Sequence, residues 1–233
     1  MLPVWLYTAQ RLSRIVPQTI LTIFIVIAGE KMYRCRAVLL PAFIQQLAVA
    51  YVARGYWFYV SGWIPFNKDA EAVDCKLIEK YGIDISKWER ARRKKAGLAN
   101  LHYLRHGRNF VLIATHGKHR FFEEEAAVIR DIRRVPFRLG GYSVSYRNDH
   151  ASVRIAQESY KGLRAYLTDL APRRSVEAMI EEFRMLHYEP YAPVRRQLLN
   201  LLRAVNRVRK KAGLVDVPAD CLRLRRRVLR PFA

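Results

Sequence analysis

The segment from Leu98 to Thr115 constrains the fold more than any other. Two runs, LANLHYLR and RNFVLIAT, flank His106-Gly107, the composition of a tight hairpin turn. In that pairing Leu101 and Tyr103 share one face with Phe110 and Leu112, and His102 and Leu104 share the other with Val111 and Ile113. Side chains alternate across a strand, so both faces of the hairpin are apolar and both need cover, as in a central strand pair. The chain has the material: 233 residues, 51% hydrophobic and 12% aromatic, far from the composition of a disordered segment.

The neighbouring segments supply the covering elements. Tyr56 to Ile64 is rich in aromatic and β-branched residues, stops at Pro65, and reads as a strand. Asp69 to Tyr81 reads as a helix closed by Gly82, and Ser86 to Gly97 as a short basic helix. Phe121 to Arg133 carries apolar residues at helical spacing. Phe137 to Arg147 and Ala151 to Ala156 form a second hairpin around Asn148-Asp149-His150. There Tyr142, Val144 and Tyr146 face one way, and Ser143, Ser145, Arg147, Ser152 and Arg154 the other. Gln157 to Leu170 is helical again. The expected class is α+β: a ferredoxin-like βαββαβ antiparallel sheet with an added hairpin and C-terminal helices. The expected organisation is an apolar N-terminal helical extension over 1–50, an α+β sheet domain over 51–171, a helical region over 172–213 and a basic tail over 214–233.

Residues 15–29, IVPQTILTIFIVIAG, follow Arg11 and Arg14 and are apolar for about 14 residues, short of the roughly 20 that span a bilayer. A buried or partner-facing helix, a membrane-surface anchor, a cleaved signal and an extension ahead of a start at Met32 all fit that pattern. Cys35, Cys75 and Cys221 are isolated, with no CxxC pair, which argues against a structural zinc site or a disulfide framework.

Charge points to a partner. The chain holds 42 Lys+Arg against 20 Asp+Glu, a net of +22, and roughly three in four of the cations are arginine. Arginine's planar fork suits phosphates and base edges. The excess lies almost wholly after residue 83 and gathers on three segments. The first is the 86–97 helix, with Arg92, Arg93, Lys94 and Lys95 beside Trp88. The second is the helix over 194–212, where Val194, Leu198, Leu201, Leu202, Val205 and Val208 form one stripe and Arg196, Asn200, Arg203, Arg207 and Lys210 the opposite one. Such a row can follow a phosphate backbone, with Asn200 and an arginine or two reaching base edges in a major groove. The third is the tail, with Arg225, Arg226 and Arg227, read as an arm that orders on a polyanion or as an edge strand.

Catalytic chemistry has one candidate. His116 and His119 stand at the end of an apolar run, followed by Glu123, and such a set can hold a divalent metal beside a phosphate. A later helix carries Tyr160 and Tyr166. With the ferredoxin-like element order over about 56–170, this resembles the HUH single-strand endonucleases and transposases. The resemblance implies a metal held by His116 and His119 and phosphate attack by Tyr160 or Tyr166. The pattern departs from the family at its defining point, because the spacing here is HxxH, with Gly117-Lys118 between, rather than His-hydrophobe-His.

The leading expectation is therefore a nucleic-acid-binding protein, DNA before RNA, of the kind found in mobile elements, with a nucleoid-associated cytoplasmic location. The alternatives are a metal-dependent nicking or strand-transfer nuclease, the one reading that calls for a metal cofactor, and a basic protein held at a membrane surface through residues 15–29.

Overall fold

The computed structural model describes residues 33–232. The apolar segment 15–29, and the membrane readings attached to it, lie outside the described residues. From Cys35 onward the chain forms one compact unit.

The core is organised around a helix drawn from the second apolar stretch, which the sequence assigns to the N-terminal extension. Leu40–Gln45 is α-helical (α1), continues through a π-helical turn at Gln46–Tyr51 and a 3-10 turn at Val52–Arg54, and ends at Gly55, whose φ of 92° suits glycine. Phe43, Ile44, Leu47, Ala48, Tyr51 and Val52 are buried among side chains from two separate sheets. Residues 40–54 are thus a central strut rather than an appendage.

The first sheet comprises β1 (Tyr56–Trp63), β2 (Leu101–His106), β3 (Asn109–Thr115) and β4 (Arg130–Asp131), in the order β2-β3-β1-β4 with antiparallel neighbours. The register Leu101↔Ala114, Tyr103↔Leu112 and Leu104↔Val111 gives the two faces expected from the pattern. Leu104, Val111 and Ile113 pack toward α1. Tyr103 and Arg105, on the other face, meet α2 (Ala70–Lys80), which is capped by the Asp69 side chain. The hairpin is apolar on both faces because both faces of the sheet are covered; β2 itself is an edge strand, shielded by backbone bonds from Cys35 and Ala37 to Arg105.

A buried polar network pins α2 to that face. Arg105 Nε donates to both carboxylate oxygens of Asp74 at 2.8 and 2.7 Å, Tyr103 donates its hydroxyl to the same carboxylate, and Arg105 Nη1 donates to the Gly107 carbonyl at 2.7 Å. Asp74 and Arg105 are each only 5% exposed, so the pairing is what makes their burial tolerable. Cys35 donates to Asp74 as well. Burial, with the Asp74 carboxylate adding to it, pushes this thiol up to about 12, so it stays protonated and unreactive.

Two expectations give way here. The helix expected over 121–133 is a single turn, α4 (Phe121–Glu124), because Arg130–Asp131 pairs with Phe58 and Tyr59 as the fourth strand and Ile132 is drawn into the core. The segment 137–147 therefore does not complete a single βαββαβ sheet. It forms β5 (Phe137–Leu139) and β6 (Tyr142–Arg147), which join β7 (His150–Ile155) in a separate three-stranded sheet.

The C-terminal part is helical. After α3 (Lys87–Lys95) on the β1–β2 connection, the remaining helices are α5 (Gln157–Leu170), α6 (Val176–Arg184) and α7 (Ala192–Lys211). Leu167, Met179, Phe183, Val194, Leu198, Leu201 and Val205 bury one another in a second cluster that also takes in Ile155, Val217 and Cys221. This layer begins with α5, not at residue 172, because the apolar side of α5 packs there rather than on the first sheet. Among the described residues no helix is long and apolar enough to cross a membrane.

Candidate nucleic-acid interface

The outer face of the second sheet and the polar stripe of α7, separated by some 50 residues in sequence, are brought together. The β6–β7 hairpin turns on Asn148 and Asp149, with φ of 49° and 59°, the left-handed pair that a two-residue turn requires and that Asn and Asp tolerate. The register pairs Arg147 with His150, Ser145 with Ser152 and Ser143 with Arg154. Tyr142, Val144, Val153 and Ile155 are buried on the inner side, so the arginines are left on the outer one.

Helix α7 docks beside this hairpin. Its apolar stripe is buried as the periodicity requires, and Arg196, Asn200, Arg203, Arg207 and Lys210 are exposed. Gln197, at the border between the stripes, fixes the docking. Its side-chain oxygen accepts from the Ile155 N–H at 2.8 Å and its nitrogen donates to the Ile155 carbonyl at 3.0 Å, so the amide satisfies the free edge of β7 as a further strand would.

Between hairpin and helix lies a cleft of about 590 Å³. Arg147, Asn148, His150, Ser152 and Arg154 form its wall, and Arg196, Gln197 and Asn200 its floor. Among the described residues no acidic side chain lines it, and Arg147, Arg154 and Arg196 form no ion pair. Three guanidinium groups converging without counter-charge create a strongly positive field in a concave site, the arrangement that attracts and orients an anion. The row continues past the cleft: Arg203 donates to the Asn200 side chain at 3.2 Å, and Arg203, Arg207 and Lys210 border a second, shallower recess of about 450 Å³.

The other basic segments lie apart and line neither recess. In α3, Lys94 and Lys95 are exposed, Arg92 pairs with Glu89 at 3.1 Å, and Arg93 is half-buried. Arg90 of the same helix is structural, donating to the carbonyls of Leu101 and Ile83. The tail is neither a free arm nor an edge strand. Gln45 grips Leu229 through both backbone groups, at 2.7 and 3.1 Å, buried Glu189 pairs with Arg223 and accepts from the Arg227 N–H, and Arg226 stacks over Tyr191. Arg225, Arg226 and Arg227 keep exposed side chains on a tethered strap.

The catalytic constellation does not assemble. His119 accepts the Phe121 N–H at its Nδ1, and burial, with the Arg93 charge adding to it, holds its imidazole below the usual range. His116 is exposed beside Phe58. The glutamates serve the end of α2: Glu124 pairs with Lys80 at 2.8 Å, and Glu125 accepts from the Tyr81 hydroxyl at 2.6 Å. Glu123 points to solvent. Among the described residues no three His, Cys, Asp or Glu side chains are grouped to hold a metal. Tyr160 packs with the second cluster, and the Tyr166 hydroxyl donates to Glu182. His116, His119, Glu123 and Tyr160 thus have separate surroundings and share no site.

Arg147, Asn148, His150, Ser152, Arg154 and Gln197 line the cleft but do not stand out as a candidate site in the sequence. The hairpin's polar face was visible in its alternation; its apposition to α7 depends on Gln197, one amide that reads in sequence like any helix-border residue. No family model matches the chain, and no curated protein matches it.

Proposed function

We propose that this protein binds nucleic acid, engaging the phosphate backbone through the cleft between the β6–β7 hairpin and α7 and through the basic row that continues along α7. The observation that supports this most directly is the convergence of Arg147, Arg154 and Arg196, exposed and, among the described residues, without an ion-pair partner or an acid in the cleft. Affinity on such a surface comes from neutralising phosphates and releasing their counterions, so it is sequence-tolerant and steeply salt-dependent. In this reading the first sheet, with its β2-β3-β1-β4 order, is a ferredoxin-like platform with a shortened second helix, and it serves as scaffold rather than as binding face.

Fluorescence anisotropy of labelled oligonucleotides, titrated with salt, tests the reading. Engagement of the three cleft arginines with Arg203, Arg207 and Lys210 predicts a log–log slope of about −4 to −5, and alanine at any one of them lowers that slope by about 1. Absence of binding near 50 mM salt, or a slope near zero, rejects it.

A further inference from the structure

The shape of the cleft also selects the form of nucleic acid. A recognition helix entering a major groove needs both flanks free, because an α-helix about 10–12 Å across already fills a groove about 12 Å wide. Helix α7 lacks a free flank where it carries Arg196 and Asn200. The β6–β7 hairpin stands beside it, held by the two Gln197–Ile155 bonds and by Ile155 packing among the side chains of α7. The hairpin tip, with Arg147, Asn148 and His150, lines one side of the cleft and α7 the other. A duplex meeting this ridge-and-helix surface cannot put its groove over α7, whereas a single strand can lie in the trough.

We propose, building on the nucleic-acid reading, that the cleft is a single-strand site that takes an unpaired nucleotide. Its volume of about 590 Å³ is that of a small-ligand pocket, room for one or two nucleotides and far too narrow for a duplex. Its chemistry fits an unpaired base with its phosphate. Asn148 on the wall and Asn200 on the floor each offer a carbonyl acceptor and amide donors, the groups that meet a base edge exposed by unpairing. Arg147, Arg154 and Arg196 surround them with charge for the flanking phosphates. Among the described residues no Phe, Tyr or Trp lines the cleft, so stacking falls to guanidinium planes and the His150 ring. From Arg196 to Lys210 the helix rises about 21 Å, which extends the track by several nucleotides beyond the cleft along Arg203 and Arg207.

The test compares one labelled 20-residue sequence as single-stranded DNA, single-stranded RNA and duplex DNA, on the full chain at fixed salt. The wild type is expected to prefer a single strand over the duplex by about tenfold, and the two single-stranded arms show which sugar it takes. Arg154→Ala and Asn148→Gly alter only the wall, glycine keeping the left-handed backbone that the turn requires at 148. Each is expected to weaken single-strand binding by about fivefold to tenfold while moving duplex binding less than about twofold. Arg207→Ala, outside the cleft, weakens both forms alike. Equal or tighter duplex binding by the wild type overturns the single-strand site while leaving nucleic-acid binding in place, as does an equal loss on both forms in Arg154→Ala. Failure to bind any of the three overturns the nucleic-acid reading itself.

Discussion

Arg209 reaches Ala171: its Nη1 donates to that carbonyl at 2.8 Å, where α5 ends and its last carbonyls lack helical partners. The same nitrogen donates to Arg174, and Nε donates to Val215 at 2.7 Å. The side chain is 2% exposed, so this one of many arginines is a rivet between α5, α7 and the segment after α7. Arg209→Ala leaves buried carbonyls unsatisfied and is expected to cost about 3 kcal/mol, lowering the thermal midpoint by about 10 °C. Arg207→Ala, two residues away on the exposed stripe, changes stability by less than about 0.5 kcal/mol. Chemical and thermal unfolding of the two variants checks the contrast; equal stabilities contradict the assignment.

His102 is expected to make the fold sensitive to acid. Its ring stacks on Tyr51 at 4.3 Å between centroids and lies against Tyr56. Burial, reinforced by the charges of Arg90 and Arg54, lowers its pKa from 6.5 to about 3. Below pH 6.5 the unfolded chain takes up a proton at this position that the folded chain refuses, so stability falls as pH drops from 6.5 toward 3. By pH 5 this single group accounts for about 2 kcal/mol. His102→Phe keeps the stacking and removes the proton site. Its urea midpoint is expected to vary less between pH 7 and pH 5 than the wild type's, and an unchanged pH dependence counts against the role.

Gly117 separates His116 from Lys118 for a backbone reason. Its φ is 139°, and a Cβ there would sit 2.5 Å from the Ala99 nitrogen and 2.7 Å from the Leu98 carbonyl carbon. Both obstacles are main chain, so neither can rotate away. Gly117→Ala is expected to destabilise by more than about 2 kcal/mol, since positive-φ strain and the clash add. Gly162→Ala, on open helix surface, is expected to be neutral or slightly stabilising. Denaturation midpoints of the pair decide the matter.

What could be read from the sequence followed local periodicity. The faces of the 98–115 hairpin, the inward and outward sides of the 137–156 hairpin, and both stripes of α7 all emerged from alternation or helical spacing. Local patterns do not report which face meets which. The joining of the hairpin to α7 rests on Gln197, the covering of the first sheet on Asp74 inside an amphipathic helix, and the capture of the tail on Gln45 and Glu189. Each is a single polar residue whose partners lie 29 or more positions away. Helical spacing also misled over 121–133, where strand pairing with Phe58 and Tyr59 outweighed helix preference. The three glutamates and two histidines that look like chemistry in sequence include an ion pair, a hydrogen-bond acceptor and a helix-start contact in the structure.

Three of the clasps that hold the frame are neutral. Gln197 on Ile155, Gln45 on Leu229 and Asn206 on Val217 each join an amide side chain to both backbone groups of a distant residue. Added salt screens exposed guanidinium groups but has little hold on amide-to-backbone bonds. Ionic strength therefore leaves these three pins in place: if the arginines hold a polyanion, as proposed, a concentrated-salt wash strips it while the hairpin and helix that frame them remain clasped.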